Sequence, residues 1–183
     1  MSETAERDSH FVALLREQIA YEFAAQHQYV ALAVWFDSRD LPRLAAHFYR
    51  QAVEERNHAM MMVRYMLDRD LPVEIPGVAG VRNDFTDVRE PLRLALQQEQ
   101  EVTRQIEGLF KAARDGGDFL GEQFVLWFLK EQVEEVASMS TLLAVAERAG
   151  DDGVFQIEDF LSRESVGDAS VDANAPRAAG GSL

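Results

Sequence analysis

Gln51-Ala52-Val53-Glu54-Glu55-Arg56-Asn57-His58-Ala59-Met60-Met61-Met62 decides the fold of this chain. Stepped alternately by three and four, this stretch and its flanks read Leu44, Phe48, Gln51, Glu55, His58, Met62, Tyr65. That is the core-facing seam of a long amphipathic helix. Its centre, however, is polar. Three more segments repeat the pattern: Leu15, Ile19, Glu22, Gln26, Tyr29, Ala33, Phe36; Leu92, Ala95, Glu99, Val102, Ile106, Leu109, Ala113; and Val125, Phe128, Gln132, Glu135, Met139, Leu142, Ala146. Helices of this length are roughly 40 Å long, and their midpoints coincide when they pack as hairpins, so the four interruptions meet in one layer. A lone buried Glu, or a single Glu-x-x-His, is commonly a satisfied core polar group. Carboxylates from four helices at one height are a different matter, because buried anions without counter-charges would break the bundle. The pattern predicts bound cations in the core. Carboxylates with one imidazole and no sulfur suit iron or manganese better than structural zinc. Glu55 and His58, three apart, share a helical face and can grip one ion. Glu22 completes that site, and Glu99 and Glu135 hold a second ion. Glu55 has an oxygen free to bridge, and Gln132 supplies an amide oxygen or positions a water.

The punctuation of the chain sets the topology. A first helix runs from about Ser9, its N-cap, to Phe36. Asp40, Leu41 and Pro42 are read as a cap and a first-turn proline opening a second helix to about Arg69. A Pro- and Gly-rich stretch, residues 70–86, follows. Asp87 and Glu90 resemble a capping box for a third helix ending near Arg114. Asp115, Gly116 and Gly117 make a turn, and Asp118 caps a fourth helix to about Gly150. A fifth, shorter helix covers about Val154 to Glu164. Two short connections make two antiparallel hairpins, and the long middle one lets the second and third helices run parallel. The expectation is an all-α four-helix bundle with one long crossover and a short fifth helix, a helical domain over 1–164. A tail over 165–183, almost without apolar residues, is expected to be disordered.

Composition narrows the partners. With 47% hydrophobic residues the 183-residue chain has enough apolar material for one core. A formal charge of -14 disfavours nucleic acid and anionic membranes and favours cations. Cysteine is absent, which excludes disulfides, thiolate metal sites and thiol catalysis. Residues 1–8 lack the pattern of a secretory signal, and no uncharged run reaches the roughly 20 residues of a membrane span. A cytoplasmic protein is expected.

The segments Glu22-Phe23-Ala24-Ala25-Gln26-His27-Gln28-Tyr29, Glu54-Glu55-Arg56-Asn57-His58-Ala59, Glu99 and Glu131-Gln132-Val133-Glu134-Glu135 together resemble the ferritins, the likeness spanning roughly Phe11 to Leu161. The chain looks like a bacterial, haem-free ferritin of the actinobacterial type. The resemblance implies a homo-oligomeric iron-storage cage of 24 subunits, the fifth helix lining its fourfold axes. It implies a ferroxidase that oxidises Fe(II) with dioxygen at a di-iron centre and deposits ferric mineral inside. Bacterioferritins carry Glu-x-x-His twice, with a haem-ligating Met after the Glu of the first motif. Here the second motif is Gln132-x-x-Glu135 and Arg56 follows Glu55, so no haem is expected, and Met60, Met61 and Met62 are packing residues.

Bacterial ferritins also have a third iron site, which the resemblance places at Glu54, Glu131 and Glu134, with Glu135 shared. Tyr29 matches the tyrosine beside the iron pair, and Trp127 a nearby tryptophan. Asp118 and Glu122 are candidate channel residues by the same analogy. His10, His27 and His47 are read as surface groups. The ending Gly180-Gly181-Ser182-Leu183 weakly resembles peptides that load ferritin-like cargo into encapsulin shells. An oxygen-activating di-iron enzyme shares the ligand set, but this chain has no residues to spare for a substrate channel. A DNA-protecting mini-ferritin would hold its metals between subunits, and a purely structural module would not cluster carboxylates.

Overall fold

The computed structural model describes residues 9–150, 153–163 and 174–183. Among them are five α-helices and no strand: α1 His10–Asp37, α2 Pro42–Asp68, α3 Arg89–Asp115, α4 Phe119–Ala149 and α5 Val154–Arg163. α1 pairs with α2 and α3 with α4, and α5 packs against α2 and α4. The expected all-α bundle with a short fifth helix is what forms.

Two apolar clusters fill the core and reveal the helix directions. One gathers the start of α1 (Phe11, Leu15, Ile19), the ends of α2 (Met62, Met66) and α3 (Ile106, Leu109), and the start of α4 (Val125, Phe128). The other gathers the end of α1 (Leu32, Phe36), the starts of α2 (Leu44, Phe48) and α3 (Leu92, Ala95), and the end of α4 (Leu142, Ala146). α2 and α3 therefore run parallel. The connection between them travels the length of the bundle, with Leu71 in the first cluster and Phe85 in the second. It is pinned on the way: Arg16 Nε donates to the Pro72 carbonyl at 2.9 Å, and Gln28 exchanges hydrogen bonds of 2.8 and 2.9 Å with the Arg82 backbone.

The helix ends are partly those the sequence predicts. Ser9 Oγ accepts from Val12 N, and Asp118 accepts from Gly121 N at 2.9 Å. Gly117 turns the α3–α4 hairpin at φ +70°, a conformation that costs glycine little. Asp40 is not the cap of α2. It sits at φ 58°, and Leu41 occupies the N-cap without a side-chain bond. The orphan amides there are satisfied from afar: Glu158 on α5 accepts from Arg43 N and Leu44 N, both at 2.9 Å. The expected capping box is shifted too. Asp87 accepts from Arg89 N and Glu90 N, while Glu90 reaches back to Thr86 N, not to Asp87.

The end of the tail departs from expectation. Residues 165–173 of the stretch predicted to be disordered lie outside the described residues, as does Glu164, the expected end of the fifth helix. Residues 174–183 lie against α2: Ala179 N donates to the Met60 carbonyl at 2.9 Å, Ala178 joins the first apolar cluster, and the Asn57 side chain hydrogen-bonds the backbone of Leu183 in both directions. Small alanines allow this close approach, and a composition poor in bulky apolar groups conceals it.

Candidate metal centre

The polar layer sits between the two apolar clusters. Glu22, Glu55, His58, Glu99, Gln132 and Glu135 are all at most 5% exposed, and Tyr29 is fully buried. Each of the four long helices contributes, because each seam reaches the same height. His58 Nδ1 lies 3.6 Å from Glu55 Oε2 and 3.8 Å from Glu22 Oε2. These three side chains converge closely enough to share one ion. Glu54, Glu131 and Glu135 form a second convergent group. Glu134 does not join it: its position on α4 is exposed, although its charge still acts on Glu54.

The electrostatics of the layer are those of crowded, buried acids. One oxygen of each of Glu22, Glu55, Glu99 and Glu135 is buried with no hydrogen-bond partner. Buried polar atoms are rarely left so. Burial first, then the neighbouring carboxylates Glu99 and Glu22, push the Glu55 carboxyl well above its usual range. Burial, with the charges of Glu54 and Glu99, does the same to Glu135. Burial raises Glu99 to about 7 against the pull of Tyr29, whose hydroxyl donates to Glu99 Oε1. Anions crowded so closely must take up protons or bind cations. Four buried carboxylate oxygens without hydrogen bonds, two of them beside His58 Nδ1, are the donor set of a hard or intermediate cation, so the residues present fit one.

Residues 12–149 match the sequence profile of the ferritin-like domain. The chain belongs to the ferritin family. It is 58% identical over the full length of both chains to ferritin BfrB of Mycolicibacterium smegmatis, and 60% identical, again end to end, to ferritin BfrB of Mycobacterium tuberculosis. It is 38% identical to a bacterial non-heme ferritin of Staphylococcus aureus over 75% of this chain and 83% of that one. The fold matches the open pore ferritin of Archaeoglobus fulgidus with a TM-score of 0.82 at 26% identity, covering 87% of this chain and 99% of the other.

In this ferritin several supporting groups escape a reading of the seams. Gln18, one turn before Glu22, donates to Glu22 Oε1 at 2.8 Å. Thr103 donates to the Glu99 carbonyl at 2.8 Å and to Gln132 Oε1 at 3.0 Å. Gln51, a seam position of α2 to which the sequence assigns no role, donates to Glu54 Oε2 at 2.6 Å. Their signal is faint: an amide or hydroxyl about one turn from an acidic residue on the same helix. Gln26, placed on the α1 seam, is only half-buried, and Ala25 takes the inward position. A strict three-four alternation drifts against the true 3.6-residue turn. His47 corrects the expectation of a surface histidine: it is 1% exposed and edge-on to Phe48 at 5.1 Å.

The acidic side chains suggested for a channel are engaged within the subunit. Asp118 pairs with Arg69 at 2.8 Å and Glu122 with Arg114 at 2.6 Å. No helix among the described residues is long and apolar enough to cross a membrane.

Proposed function

We propose that this ferritin oxidises Fe(II) with dioxygen at a two-iron site inside each subunit and stores the ferric product in a hollow 24-subunit assembly. The observation that carries the reading is the set of four buried, unpartnered carboxylate oxygens at one height. Iron is the substrate. Glu22, Glu55 and His58 bind one Fe(II); Glu99, Glu135 and Gln132 bind the other; Glu55 lies between them. Two Fe(II) release two electrons, which with two protons reduce one dioxygen to hydrogen peroxide. The carboxylates favour the more highly charged ferric products. Gln18, Thr103 and Tyr29 orient the ligands, a supporting shell that such sites need. Glutamate holds iron more labilely than thiolate, so the product moves on to the cavity.

A third iron site is proposed at Glu54, Glu131 and Glu135, with Glu134 on its outer side. No haem is proposed, since Arg56 follows Glu55 and its guanidinium is turned to Asn57, although one M. tuberculosis relative, 60% identical, bears the name bacterioferritin BfrB. Exposed apolar groups on α1 and α2 (Tyr21, Val30, Val34, Val53) and Phe155 on α5 support assembly with further copies. We place the protein in the cytoplasm, with 1–164 as the ferritin domain. An encapsulin shell that captures the Gly180-Gly181-Ser182-Leu183 ending would have to displace the Asn57–Leu183 contact. Shell co-purification that survives deletion of 165–183 would dismiss the tail as the captured segment.

Oxygen-consumption stopped flow with graded Fe(II) tests the whole reading. The expected endpoint is a break at two Fe(II) per subunit with one dioxygen consumed per pair, in particles of 24-subunit native mass. A rate no faster than Fe(II) in buffer would refute it.

A further inference from the structure

A row of rings leads away from the carboxylate layer. His58 is edge-on to Trp127 at 5.7 Å and to Phe128 at 5.6 Å, centroid to centroid. Trp127 and Phe128 are 4.9 Å apart, Phe128 and Phe124 are 5.2 Å apart, and Phe124 stacks on Tyr65 at 3.9 Å with planes 16° apart. His58 and Phe128 are buried, whereas Trp127, Phe124 and Tyr65 are half-buried. The row thus runs from the interior toward the α3–α4 turn. At its far end Arg69 Nη1 donates to the Tyr65 hydroxyl oxygen at 2.5 Å and to both oxygens of Asp118. Core packing accounts for phenyl rings here. It does not call for an indole at one end of a phenyl pair and a phenol at the other, the two ring types that give up an electron most readily. The chain has no thiol that could do so instead.

We propose that this row carries oxidising equivalents from the iron site to Tyr65, which serves as the terminal one-electron donor. The proposal rests on the iron-oxidising reading above. It applies when hydrogen peroxide, the two-electron product, meets a site holding a single Fe(II). Fe(II) then supplies one electron, the O–O bond breaks, and hydroxide and a one-electron oxidant result. Trp127 fills that deficit and is refilled by Tyr65. The net step is H2O2 + Fe(II) + tyrosine → Fe(III) + OH− + H2O + tyrosyl radical, the phenolic hydrogen ending in water. Because Arg69 donates to the phenol oxygen, the phenolic hydrogen points away from it. Burial and Asp118 hold that hydroxyl protonated, so its proton departs only with the electron. Tyr65 is an electron donor outside the carboxylate layer and touches no iron ligand in the seam.

The test uses the full-length assembly, anaerobic, loaded with one Fe(II) per subunit, mixed with hydrogen peroxide and freeze-quenched for electron paramagnetic resonance. Fe(III) absorbance is recorded in the same shots. The wild type should show a tyrosyl radical. Tyr65→Phe should lose it in favour of an indole signal, with Fe(III) yield retained, and Trp127→Phe should lose it as well. A tyrosyl signal of wild-type size in Tyr65→Phe, or no radical in a wild type that oxidises its iron, would overturn the relay alone. Iron left unoxidised in the wild type would instead overturn the site.

Discussion

Tyr29 on α1 donates its phenolic hydrogen to Oε1 of Glu99 on α3. The bond ties two helices across the layer and lowers the Glu99 carboxyl against the rise that burial imposes. Tyr29→Phe should therefore slow Fe(II) oxidation by about 10-fold, as loss of a supporting partner does. The defect should be larger at pH 6 than at pH 8, because the unsupported carboxyl protonates more readily. Stopped-flow rates across that range check it; an equal loss at both pH values would point to packing alone.

Glu22→Ala and Glu55→Ala each remove an oxygen from the group that converges with His58. Either change should cost at least about 100-fold in the oxidation rate. Far-ultraviolet dichroism should be unaltered. Rates near wild type would move the site elsewhere.

The iron-free protein should lose stability as pH rises. Glu99 passes from its ordinary value of 4.5 to about 7 on folding, and Glu55 and Glu135 shift the same way. The folded state thus holds more protons than the unfolded chain between those values. Its contribution is complete below pH 4.5 and is lost as pH climbs through 7. Urea midpoints at pH 5.5 and pH 8 should differ in that sense, and a divalent cation should narrow the gap. A higher midpoint at pH 8 without metal contradicts this.

Replacing Glu99 by Gln keeps the shape and the acceptor for Tyr29 but removes a buried charge. At pH 8 the iron-free variant should be more stable by about 1–3 kcal/mol, while fast iron oxidation disappears. Calorimetry and stopped flow together would show this exchange of stability for chemistry.

Gly121, in the first turn of α4, has no room for a side chain: an added Cβ would lie 2.8 and 2.9 Å from two atoms of the Phe11 ring. Gly121→Ala should cost about 1–3 kcal/mol. Phe11→Leu in the same chain should recover part of it, measurable by thermal melts.

The seams of α3 and α4 were fully legible in the sequence, every seam position being buried. A helix repeats its inward face, so apolar spacing reports it directly. The height of the carboxylate layer was legible for the same reason. Contacts between distant parts of the chain were not. Nothing near Pro42 announces that Glu158 satisfies its helix, and nothing near Met60 announces that Ala179 donates to its carbonyl. Thr103 likewise carries no mark of Gln132 in its own neighbourhood. His47 was misread because it stands one place before a seam position, and the buried side of α2 is broader than a single stripe.

The two greasy halves of this bundle meet across a belt of acids that must hold protons or metal to lie so close. A subunit without metal should therefore open more readily at mid-height than at its two apolar ends. Metal entering there acts as mortar, and that difference should vanish in amide exchange once the belt is filled. In a cell short of iron each subunit would then be easier for a protease to open, so supply of the metal sets the lifetime of the protein.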